Sequence, residues 1–145
     1  MRPKYKSTGF TLVELMVAVA IIAIIATAAI PQYNQYIRRA DRSDGIAAMQ
    51  SLLNAQERFF LSNRTYTTNL ADLNVVENDN DPFIAGSYSI SARQCRDGND
   101  NAIPLTLCVE FAADSTGSQV QDGDLFMNSM GRSQRVDSNG VEHDI

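Results

Sequence analysis

Apolar residues crowd one end of this chain. From 10 to 30 they form a nearly continuous run, broken early by a single carboxylate, Glu14. At about 1.5 Å of rise per residue, such a run makes a helix of roughly 30 Å, the thickness of a bilayer's hydrocarbon core. Pro31 follows, yet the helical pattern continues. Tyr33, Tyr36 and Ile37 extend the stripe, and Ile46, Met49, Leu53 and Phe60 recur at spacings of 3, 4 and 7, with Leu52 and Phe59 widening the face. One helix is therefore predicted from the apolar run through Leu61, with Pro31 and Gly45 as points where it kinks or loosens. Ser62, Asn63 and Arg64 end it. Residues 66–73 read as a short capped turn with Thr68 or Asn69 as N-cap.

The pattern then changes to period two. Residues 88–92 alternate, and Leu105, Leu107, Val109 and Phe111 share a face opposite Thr106, Cys108 and Glu110. Residues 124–128 and 132–136 are two further strand candidates, with Gly131 and Gly140 at turns. Three to four antiparallel strands laid on the 46–60 stripe make an α+β fold with one long N-terminal helix, apolar in its transmembrane half and amphipathic in the other. The chain divides accordingly into a leader (1–9), a transmembrane half-helix (10–31) and a globular domain (32–145).

The apolar run is preceded by Arg2, Lys4 and Lys6, which hold the N-terminus on the cytoplasmic side and send the rest across the membrane. Ala26-Thr27-Ala28 offers a signal-peptidase site, but the length of the run and the acid near its start argue for an anchor that is kept. A carboxylate in such a segment is a functional residue in search of a partner. The stretch Gly9-Phe10-Thr11-Leu12-Val13-Glu14 closely resembles the prepilin motif of type IV pilins and related pseudopilins, strongly from Lys6 to Tyr36 and in general layout beyond. The resemblance implies cleavage between Gly9 and Phe10 by a prepilin peptidase, N-methylation of Phe10, and pairing of Glu14 with the new α-ammonium of Phe10 on a neighbouring subunit. It implies a precursor in the inner membrane and, after assembly, an extracellular filament of this and other pilins. An inner-membrane assembly platform and cytoplasmic assembly ATPases are the expected partners, since the chain has no nucleotide site. Adhesion, twitching motility and DNA uptake are the expected roles. Major and minor subunit, type II secretion pseudopilin and DNA-receptor pilin all stay open.

Charge and cysteines narrow this further. Three of the 12 Lys and Arg precede Phe10, leaving 9 against 17 acidic residues, net −8, which disfavours unselective nucleic-acid binding. A DNA-receptor pilin would need a basic face, for which Arg93 and Arg96, joined by Arg132 and Arg135, are the candidates. Cys95 and Cys108 lie on the oxidising side of the membrane and read as a disulfide. Asp79 and Asp81 in one acidic loop, and Asp97 and Asp100 in another, could offer oxygen ligands to calcium, as in the pseudopilins the chain resembles. Neither loop has the full D-x-D-x-D-G-x₅-E pattern, and an ordinary polar turn is preferred; no cofactor is otherwise expected. Asn63-Arg64-Thr65 is a formal glycosylation sequon, and the lone His143 reads as a solvated tail residue. No nucleophile–His pairing, phosphate loop or metal-spaced cluster is visible, so a structural protein is expected rather than an enzyme.

Overall fold

The computed structural model describes residues 9–79 and 81–145. The leader's basic residues, Arg2, Lys4 and Lys6, lie outside them. The chain forms two compact units, one ending at Ile37 and the other Arg38–Ile145. Helix α1 runs unbroken over Leu12–Asn63, with Pro31 inside it. An 18-residue window of it has a mean hydropathy of 2.6 and no buried residue, and the helix is long and apolar enough to cross a membrane. The helix ends where Arg64 turns into the left-handed region at φ 60°, its N–H bonded to the Phe60 carbonyl at 2.8 Å.

In the second unit α1 packs on one antiparallel sheet of six strands in sequential order: β1 (Phe83–Ala85), β2 (Tyr88–Gln94), β3 (Val109–Ser115), β4 (Asp124–Asn128), β5 (Ser133–Val136) and β6 (Glu142–Asp144). The class is the one expected, with more strands than the three to four predicted. The two additions are three-residue edge strands, too short to show an alternation in sequence. A second correction concerns 105–108. These residues form a turn in which the Pro104 carbonyl accepts both the Leu107 and Cys108 N–H groups, so Leu107 stays 66% exposed and β3 begins only at Val109. The strand then runs on to Ser115, past its expected end, and is buried at every position from Val109 to Ala113.

The core joins Met49 and Leu52 of α1 to Tyr88 and Ile90, Phe111 and Ala113, and Leu125 and Met127, with Leu70 from a 3-10 turn over Leu70–Leu73. Asn69 caps that turn, its side chain accepting from the Ala71 N–H at 3.1 Å. The buried seam of α1 passes through Gly45, Met49, Leu52, Ala55 and Gln56, so Leu53 and Phe60 lie to its side. Phe60 instead meets Tyr66, ring centroids 4.7 Å apart. Gln56 was not apparent as a core residue. It is fully buried because its amide satisfies the backbone of Thr67 in both directions, donating to the carbonyl (2.6 Å) and accepting from the N–H (3.1 Å).

Gly45, read from the sequence as a weak point of the helix, is a packing residue. A Cβ there would stand 2.8 Å from Cδ2 of the buried Tyr88 and 3.2 Å from Cδ1 of Leu125. Overpacking of this kind costs about 1–3 kcal/mol. A helix gains roughly 1 kcal/mol from Gly→Ala. Gly45→Ala is therefore expected to lower the urea midpoint of unfolding, and a midpoint at or above the parent's would show that Tyr88 yields freely.

Candidate functional site

Two places carry the residues singled out above, one in each unit. At the start of α1, Thr11 and Glu14 form a reciprocal cap. The Glu14 carboxylate accepts from the Thr11 N–H and hydroxyl, both at 2.9 Å and both on Oε2, while the Glu14 N–H donates to the Thr11 hydroxyl oxygen at 3.2 Å. This is the T-x-x-E capping box, present in the sequence as Thr11-Leu12-Val13-Glu14 and missed there because the acid was read only as a charge needing a distant partner. Phe10 beside it is 92% exposed, and Leu15, Met16 and Val19 continue an uncovered apolar surface. A short apolar groove on that surface is lined by Leu15, Met16, Val19, Ala20 and Ala23.

The second place is the face of the sheet turned away from α1. Alternation along β2, β3 and β4 sends Tyr88, Ile90, Phe111, Leu125 and Met127 into the core and leaves Arg93, Glu110 and Phe126 on the other side. The register sets Arg93 opposite Glu110 and Phe126 opposite Gln134. Together with Arg96 and Arg132 they line a cleft of about 190 Å³, with Glu142 at its rim. Arg93 is held by Glu110, whose Oε2 accepts from Nε at 2.8 Å and lies 2.8 Å from Nη2, and its guanidinium carbon lies over the Phe126 ring, 4.9 Å from the centroid. Arg96 pairs with Asp100 at 3.2 Å and Arg132 with Glu142 at 3.7 Å.

Arg135 does not join them. As the residue after Gln134 it points to the other face, where its Nη1 donates to the Asp122 carbonyl and its side chain is 16% exposed. Asp122 also pairs with Arg42 at 3.4 Å. Period-two geometry therefore removes one of the four arginines expected to act together.

Cys95 and Cys108 are joined, Cα–Cα 5.7 Å, just beyond the last pair of the β2–β3 ladder, Gln94 with Val109. Arg96 follows Cys95 directly and bridges to Ala102, so the disulfide loop carries it to the cleft. The turn beyond is held by Asp97, which accepts from the N–H groups of Asn99 and Asn101 and from the Asn101 amide. These bonds, the Asn101 N–H foremost, hold its carboxyl below the usual aspartate range. The other calcium candidates are likewise engaged. Asp79 accepts from Asn69, Asp81 from Asn78, and Asp100 faces Arg96. Among the described residues no group of three or more His, Cys, Asp or Glu is placed to hold a metal ion. His143 is within 3.2 Å of Asp137 across the β5–β6 turn, so it is tied into the edge of the sheet.

A helix with this N-terminal motif, lying in its second half on an antiparallel sheet stapled by a disulfide, defines the class of type IV pilins. Comparison with known proteins carries this to a particular family. Residues 31–124 match the family described as type IV minor pilin ComP, DNA uptake sequence receptor, and the chain belongs to it. Residues 4–30 match the prokaryotic N-terminal methylation motif. Among individual proteins, the chain is similar to a type IV major fimbrial protein FimA of Dichelobacter nodosus, 54% identical over 44 residues, and to a fimbrial protein of the same organism, 52% identical over 44 residues. Each match covers 30% of this chain and 28% of the relative, so just over a quarter of those proteins' length is shared.

Proposed function

We propose that this chain is a minor subunit of a type IV pilus and that it binds DNA through the arginine cleft on the outer face of its sheet. The subunit is made as an inner-membrane precursor, cut after Gly9, methylated on Phe10 and assembled among other pilins. Prepilin peptidase, the assembly platform and cytoplasmic ATPases are its partners in that sequence of events. Two matches of different extent support the minor role. Likeness to the major fimbrial proteins extends over 44 residues, whereas the match to the minor-pilin family covers residues 31–124, most of the globular unit. What every pilin needs for assembly would account for the first match alone.

The observation that carries DNA binding is the grouping of Arg93, Arg96 and Arg132 around an aromatic ring in a chain whose overall charge is −5. The ion pairs of two of these arginines are to exposed carboxylates, an arrangement worth about 0–1 kcal/mol, although Arg96 also donates to the Asp100 carbonyl at 2.9 Å. A phosphate can therefore replace Asp100 or Glu142 at little cost. In gel-shift titrations of the full chain in detergent, binding is expected to weaken with salt at a slope of about −0.9 per phosphate contacted on duplex DNA. Arg96→Ala with Arg132→Ala is expected to reduce the magnitude of that slope by about two such contacts. Absence of a shift at low salt would remove the DNA reading, and an unchanged slope would remove these residues from it.

A further inference from the structure

The three arginines of the cleft are not equivalent. Arg96 and Arg132 have side chains 62% and 52% exposed, and their acidic partners are exposed as well, at 82% and 59%. Such pairs open readily, and a guanidinium so released presents its donor fork to a phosphate. Arg93 is as exposed as Arg132 but differs in its partner and its surroundings. Its Nε donates to one oxygen of Glu110 and its Nη2 lies in ion-pair contact with the same oxygen, on a carboxylate only 11% exposed, so its charge is already matched and its orientation set. One side of the guanidinium is covered by Phe126. A phosphate arriving at Arg93 would find that charge largely offset and one donor edge taken. What stays available, on a side chain still 53% exposed to the cleft, is the other side of a flat, polarisable cation.

On the reading that this cleft binds DNA, we propose that Arg93 is a stacking platform for a nucleobase rather than a phosphate ligand, and that the cleft takes DNA with an unpaired base. Guanidinium planes and aromatic rings both accept stacked bases, and only a base freed from the duplex stack can present its flat side. Glu110 and Phe126 are the positioning residues, since one holds the edge of the guanidinium and the other its back. Gln134, opposite Phe126 in the ladder, brings an amide with both donors and an acceptor to the same cleft, the chemistry a base edge requires. Arg96 and Arg132 hold the flanking backbone.

The test compares a short fluorescein-labelled single-stranded oligodeoxynucleotide with the blunt duplex of the same sequence, using the full chain in detergent micelles and anisotropy across a salt series. The parent chain is expected to prefer the single strand. Arg93→Lys keeps the charge and a donor for Glu110 but loses the plane. It is expected to weaken single-strand binding by about 5- to 150-fold, with the salt slope and duplex binding unchanged. Phe126→Leu, which removes the support behind the plane, is expected to show the same pattern, with circular dichroism melts confirming that both variants fold. Arg132→Ala is expected instead to weaken both forms and to flatten the slope by about one contact. The platform is overturned if Arg93→Lys binds single strands as the parent does, or if it weakens both forms equally with a flatter slope. No binding of either form by the parent chain would overturn the underlying DNA reading instead.

Discussion

Substitution of Glu14 by alanine is expected to reduce this subunit in sheared filaments to background while the precursor remains fully membrane-inserted. The apolar run that inserts the helix is untouched, and removing a carboxylate from it only favours the bilayer. What is lost is the acid at the start of that run. Glu14 has two separable roles here. In the chain as described it closes a capping box with Thr11 through Oε2. After cleavage at Gly9, its charge is proposed to meet the α-ammonium of Phe10 on an adjacent copy, where the apolar surroundings make an unpaired ion costly. Glu14→Gln separates the two, because glutamine also serves the third helical position of a capping box but carries no charge. Failure of both variants to assemble is the expected result and assigns the defect to the charge. Normal assembly of Glu14→Gln would show that the cap alone matters, and normal assembly of Glu14→Ala would remove Glu14 from the process altogether.

The second large effect is expected from the disulfide. Replacing Cys95 and Cys108 by serine opens a loop whose ends are 13 positions apart in sequence. For a loop of this size the chain-entropy model gives about 3 kcal/mol, and loss of a native disulfide from a small secreted domain typically costs about 2–5 kcal/mol. Both cysteines are buried, at 2% and 0% exposure, so two hydroxyls would also enter a dry site. A lower denaturation midpoint is expected for the serine variant, and the same shift for the parent chain after reduction. Coincident unfolding curves with and without reductant would refute it. On the proposal that the cleft binds DNA, the open form is also expected to bind it more weakly before it unfolds, because Arg96 follows Cys95.

How far the sequence reveals these features depends on the range over which each is encoded. The capping box, the apolar run and the alternation at 124–128 are written in neighbouring residues, and they can be read with no knowledge of what packs against them. The beginning of β3 is different. Leu105 and Leu107 alternate as a strand should, but the Pro104 carbonyl draws two N–H groups into a turn, and the alternation offers no warning of it. β6 contains Glu142, His143 and Asp144, a set no propensity would place in a sheet, and it pairs because β5 leaves an open edge beside it. Gln56 reads as a polar interruption of a helix face until Thr67 comes back to meet it. Gly45 reads as a helix breaker until Tyr88 arrives at its missing side chain.

The amino-acid sequence by itself determined the membrane-length helix, the processing motif at its start, the α+β class and the pairing of its two cysteines. Each follows from local pattern or from a choice with one answer. The tertiary structure alone decided that Arg93, Arg96 and Arg132 share a cleft while Arg135 turns inward, that Glu110 and Phe126 lock one of those arginines in place, and that six strands rather than three or four make up the sheet. The physical reason is register. In a pleated strand a shift of one residue carries a side chain to the opposite face, and the register is set by partners far away along the chain.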